Sequence, residues 1–259
     1  MAGPRSFLVA ILLLAGCAAE QPTPAAPPPP PPDLGPLPPF VGGNPDAPVS
    51  VQGSITLSDV PPAPRPPYRY DATHPPRLTI PRDTDFFTDP ERHVRWAFVS
   101  IVRGLEGRAF DAPAERLEIR IKAYRFWPHV AGVRTGQDIR FVNHDEDFHN
   151  VHALPFDNKE FNLGLPAKGT VAIKRFSTPE RLLKIKDDVH PWEWIWIGVV
   201  EHPFFAVTGP DGRFELRGLP PGTYTLAVWH ERCHPVERTL EIKAGDPRTE
   251  DVALDLRKN

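Results

Sequence analysis

Two short stretches of this chain carry side chains suited to holding a metal ion. One is Phe148-His149-Asn150-Val151-His152, the other Asp187-Asp188-Val189-His190-Pro191-Trp192-Glu193. Their central histidines lie about forty residues apart, each in a turn beside an apolar strand, with residues around them that can complete a metal shell. Imidazole is a common metal ligand, and carboxylates beside it make a hard-to-borderline donor set. Sulfur is almost missing. The chain has two cysteines, Cys17 and Cys233, and Met1 is its only methionine. A third group, Trp229-His230-Glu231-Arg232-Cys233-His234, is a weaker metal candidate. His129 reads as structural, His144 and His152 merely flank His149, and Asp145-Glu146-Asp147 reads as a solvated acidic loop. Trp192, Trp194 and Trp196 alternate with apolar neighbours, as core or interface residues do.

Positioning such groups requires a rigid scaffold, and 259 residues allow one large or two small domains. The formal charge of −3 provides neither a nucleic-acid footprint nor a polybasic membrane patch. Proline is the compositional outlier, 35 residues against a usual share of about 5%, and much of it lies before residue 91. Residues 18–48 hold thirteen prolines, a composition that favours a semi-rigid polyproline spacer reaching up to about 90 Å. Residues 1–17 read as an export signal: Arg5, then an apolar run from Phe7 to Leu14 too short to span a bilayer.

Residues 49–57 alternate as a first strand, and 61–93 read as a Pro-rich insertion. Strand patterns follow at 95–102, 117–122, 138–142, 170–176, 182–185 and 194–200, with Gly132 to Gly136 read as a turn. No window shows a helical period. A second unit opens near His202. The Asp211-Gly212 hairpin signal separates 204–208 from 213–216, and strands at 223–229, 236–242 and 249–256 follow. The expected domains are therefore 49–201 and 202–259, both all-β, and the second could borrow strand 49–57 to finish its sheet.

Two resemblances add to this reading. Leu14-Ala15-Gly16-Cys17 resembles the lipobox of bacterial lipoproteins, which implies acylation of Cys17 and anchoring on the periplasmic side of the outer membrane or at the cell surface. Asn143 to His152, followed by Asp187 to Glu193, resembles the two ligand loops of cupredoxins, amicyanin and the plastocyanin-like methylamine utilisation lipoproteins above all. That resemblance implies a Greek-key sandwich with His149 and His190 as ligands. Asp187 stands where the family has Cys, and Glu193 where it has Met. The stretch GPDGRFELRGLPPGTYTLAVWHE resembles a carboxypeptidase-regulatory or transthyretin-like module.

Blue-copper electron transfer depends on a thiolate, so the family's role does not transfer directly. The resemblance instead implies a site of His149, Asp187, His190 and Glu193 for Cu(II) or Zn(II), with both carboxylates facing a point shared by the two imidazoles. The alternatives are a copper electron carrier in which Cys233 reaches the site, and a metal-free structural, interaction or glycan-binding module. The implied partners are a membrane, through the lipid, and an envelope protein of redox or structural kind, with no nucleic acid. No separate acid, base or substrate pocket is legible, so an enzyme is not expected.

Overall fold

The computed structural model describes residues 42–60 except Pro45, two short strands at 68–69 and 79–80, and 91–257 except Ala112. The export signal, Cys17, and nearly all of the spacer and insertion lie outside the described residues. Those described form strands and turns without a helix, and the strands build two β-sandwiches.

The first sandwich holds both histidine stretches. One sheet orders Phe161–Leu165, His149–Leu154, Glu180–Lys186, Trp194–Val200 and Val130–Arg134, the last pair parallel. The facing sheet orders Val171–Lys174, Ile139–Asn143, Leu117–Ile121 and Phe126–Trp127. Strict alternation drives the pairing: Ile195, Ile197 and Val199 turn inward with Leu183, Ile185, Val151 and Ala153 to meet Ile119, Ile121, Ile139 and Phe141 in one core.

The second sandwich pairs Phe205–Val207, Phe98–Arg103, Gly222–Trp229 and Val236–Ile242 in one sheet. In the other, Val49–Leu57 lies beside Arg213–Arg217 on one side, with Arg248–Thr249 and Val252–Leu254 on its other side. Strand 49–57 is thus borrowed. Strand 98–103 is borrowed as well, so the sheets do not divide at residue 201 as the sequence suggests. Val99 and Ile101 of that strand enter the second core with Val51, Ile55, Leu226 and Val228.

Phe98 has the opposite facing, and this explains why strand 98–103 is buried on both faces. Its ring stacks on Phe205 at 5.9 Å, and both rings lie against the first sandwich with Trp229, Val207, Val130 and Trp196. Gly132 and Gly198 sit opposite each other on neighbouring strands. A Cβ on Gly132 would come within 2.3 Å of Phe205, and one on Gly198 within 2.4 Å of Phe98. The segment around Gly132, expected to be a turn, is therefore a strand, and its glycine provides close approach rather than chain reversal.

Candidate metal centre

Each of the two sequence stretches begins or ends a strand at one end of the first sandwich. His149 opens strand 149–154, Asp187 directly follows strand 180–186, and Glu193 directly precedes strand 194–200. The 187–193 loop closes on itself, with Asp187 N donating to Glu193 O at 3.0 Å and Glu193 N to His190 O at 2.8 Å. Asp187 organises that loop. Its Oδ1 accepts from Val189 N at 2.6 Å and His190 N at 2.9 Å, while its Oδ2 accepts from Asn150 N at 2.8 Å across the sheet. A short acceptor at a turn entrance is a favoured capping group.

The four residues meet with 0–1% exposure each. Asp187 Oδ2 lies 3.3 Å from His149 Nδ1 and 3.1 Å from His190 Nδ1. Glu193 Oε2 lies 3.3 Å from His149 Nδ1, and its Oε1 lies 3.4 Å from His190 Nδ1. One candidate atom from each residue falls within 4.8 Å of all the others. The imidazole centroids are 4.9 Å apart.

Two features fit an ion at the centre of this set. Zinc ligand distances of about 2.0–2.1 Å make the edges of a tetrahedral site roughly 3.3–3.4 Å long. The four nitrogen-to-oxygen distances span 3.1–3.4 Å. Second, both oxygens of Glu193 are buried and meet no donor in good hydrogen-bond geometry, the nearest being the imidazoles of His149 and His190 at 3.3 and 3.4 Å. A buried acceptor left in that condition costs about 1–3 kcal/mol, more when charged, and calls for a counter-charge.

Without an ion, the four buried groups shift one another's ionisation and favour the His149 imidazolium. Burial pushes the Glu193 carboxyl up to about 7, an effect its neighbour His149 only partly offsets. Burial disfavours the His149 imidazolium, but hydrogen bonds to Asp145 and Asp187 and the charge of Glu193 outweigh it and raise its pKa to about 11. Asp187 also resists burial: bonds from both histidines and from the Asn150 and His190 amides hold it far below the usual carboxylate range.

Asp145 proves to belong to the site rather than to a solvated loop. Its Oδ2 faces His149 Nε2 at 3.1 Å, fixing the ring so that Nδ1 points inward. Asp145 also accepts from Ala123 N at 2.7 Å and Tyr124 N at 2.9 Å. Those two residues have φ of 53° and 58°, left-handed values that disfavour any side chain. The carboxylate holds that turn, and the turn sets the Tyr124 ring edge-on to His149 and His190 at 5.5 and 5.1 Å. The Tyr124 hydroxyl bonds Asp147, and together with burial this raises its pKa. Asn143 locks the acidic loop, with its Oδ1 accepting from Asp145 N and its Nδ2 donating to Asp147 O and Leu165 O. In the sequence the run Asp145-Glu146-Asp147 carried no signal of this.

The remaining candidates go elsewhere. His152 sits between Asp188 and Glu160 on the outer side of its strand, at 2.8 and 2.9 Å. Cys233 is wholly buried in the second core, its Sγ 3.5 Å from His230 Nδ1, and burial raises the thiol to about 12. It does not reach the site, which removes the arrangement that an electron carrier using Cys233 requires. Glu231 leaves that group entirely and bonds Trp194, Trp196 and His129.

Residues 200–255 match the family model of the carboxypeptidase regulatory-like domain. No curated protein sequence matches the chain. Among solved structures, a Cu-containing nitrite reductase from Thermus scotoductus SA-01 is similar at 17% identity and TM-score 0.32, over 38% of this chain. The matched part spans only 25% of the reductase. A purple cupredoxin from Nitrosopumilus maritimus matches at 20% identity and TM-score 0.28, over 32% of this chain and 98% of its own. A point mutant of amicyanin in its Cu(I) form matches at 19% identity and TM-score 0.29, over 39% of this chain and 97% of its own.

Proposed function

We propose that this chain binds one divalent cation, Cu(II) or Zn(II), through His149 Nδ1, His190 Nδ1 and the carboxylates of Asp187 and Glu193. The observation that carries the reading is Glu193: a buried carboxylate without a well-formed hydrogen bond, its two oxygens 3.3 and 3.4 Å from the Nδ1 atoms of His149 and His190. Charge decides the kind of ion. Two carboxylates and two neutral imidazoles carry −2, which a divalent ion cancels and a monovalent one leaves uncompensated in a buried site. Oxygen and imidazole donors without sulfur also disfavour Cu(I). The reading is therefore of a binding site that holds one oxidation state, neither an electron carrier nor an enzyme. The four donors leave no open position in a tetrahedral shell, the form of structural rather than catalytic sites.

One observation favours a metal-free alternative. His149 faces Asp145, Asp187 and Glu193 together, so its imidazolium can act as the counter-ion. Metal analysis of the full chain purified without chelator separates the two. About one equivalent of divalent ion is expected, and none after loading with Zn(II) or Cu(II) would overturn the proposal. The location we propose, the cell envelope through a lipid on Cys17, rests on the lipobox pattern alone, and the partner we propose is an envelope protein. Mass analysis of the membrane fraction for an acylated Cys17 tests the anchor.

A further inference from the structure

One carboxylate of the second sandwich reaches the strand that carries the metal loop. Glu231 accepts hydrogen bonds from Trp194 Nε1 at 3.0 Å and Trp196 Nε1 at 2.6 Å, and its other oxygen lies 3.1 Å from His129 Nε2. Its side chain is only 10% exposed. Trp229, two residues earlier, packs its ring on Trp196 at 5.2 Å. His129 packs against Trp194 at 5.9 Å, and its carbonyl accepts from Trp196 N. Every partner of this carboxylate thus belongs to the first sandwich, and Trp194 is the residue directly after Glu193. Trp194 also pairs in register with Lys186, the residue directly before Asp187.

Apolar packing of Phe98 and Phe205 already joins the two sandwiches. Burying a charge there as well is costly unless it is paired and hydrogen-bonded, as Glu231 is by His129, Trp194 and Trp196. We propose that Glu231 is a positioning residue for the metal centre: by holding Trp194 it fixes the backbone from which Glu193 enters the site, and so couples this one contact, rather than the apolar seating of the C-terminal sandwich, to metal affinity. This rests on reading the four-residue cluster as a metal centre. Coupling of this kind is reciprocal, so an ion in the site also strengthens the hold of Glu231 on Trp194.

The test compares the full-length parent with Glu231→Gln, Trp194→Phe and, as a control that loosens the junction elsewhere, Phe98→Leu. Two readouts are taken: hydrogen exchange of the Asp187, His190 and Glu193 amides without metal, and calorimetric titration with Zn(II). Trp194→Phe removes the indole N–H together with part of the ring while leaving the Glu231 carboxylate in place, so it tests the same contact from the other side should Glu231→Gln not fold. Faster exchange at all three amides and about tenfold weaker Zn(II) binding are expected for both variants, with Phe98→Leu close to the parent. Unchanged exchange in both, or equal loss in Phe98→Leu, would overturn the coupling. If the parent binds no Zn(II), the metal reading falls by itself, and the exchange experiment still decides the role of Glu231.

Discussion

At the scale of single residues, Glu193 separates a metal site from an ion-pair cluster. Its carboxylate is buried with only the two imidazoles near it, and burial raises its pKa to about 7, so above that pH its charge opposes folding of the metal-free chain. Glu193→Gln should therefore unfold at an equal or higher denaturant concentration than the metal-free parent at pH 8, while losing Zn(II) affinity at least about 100-fold. Loss of stability in the metal-free variant would instead mark Glu193 as a partner His149 needs. The clustering of His149, Asp187, His190 and Glu193 was legible in the two stretches and their likeness to a known pair of loops. Asp145 could not. Its part depends on Ala123 and Tyr124 adopting left-handed φ, which an Ala-Tyr pair does not announce.

At the scale of elements, the alternating strands were legible because alternation is what a half-buried sheet imposes. Strand 130–134 was not, since Gly132 and Gly136 imitate a turn and the strand is buried throughout. Its glycine serves the junction with Phe205, a long-range contact invisible in local sequence. Gly198→Ala should lower stability by about 1–3 kcal/mol, read from the urea midpoint, and Phe98→Leu in the same chain should recover part of it. The junction also has a pH signature. Burial opposes the charge of Glu231, but His129, Trp194 and Trp196 outweigh it and hold its pKa near 2, below the ordinary 4.5. A depressed carboxylate stabilises the fold above its unfolded pKa, and that stability is lost as pH falls through the folded value. His129 and His230 are the titratable groups facing it. The stability difference between parent and Glu231→Gln should thus be full above about pH 4.5. It should shrink by on the order of 3 kcal/mol towards pH 2, as acid titrations of both proteins would show.

At the scale of the molecule, two sandwiches share one junction, and the strand order crosses the chain in a way no linear boundary predicts. Residues 49–57 and 98–103 both complete the C-terminal sandwich, so that unit is closed by chain from either side of the first. The four-residue cluster lies at one end of the first sandwich, with the Glu231 junction beside it. Sulfur is kept away from that end: the one described cysteine is sealed in the second core. The central claim is a divalent ion held by nitrogen and oxygen alone, and X-ray absorption at the metal edge of the Zn(II)- or Cu(II)-loaded full chain tests it most directly. One shell of nitrogen and oxygen scatterers about 2.0 Å from the metal, imidazole among them, is expected; a sulfur shell at about 2.3 Å, or no retained metal, would overturn the assignment.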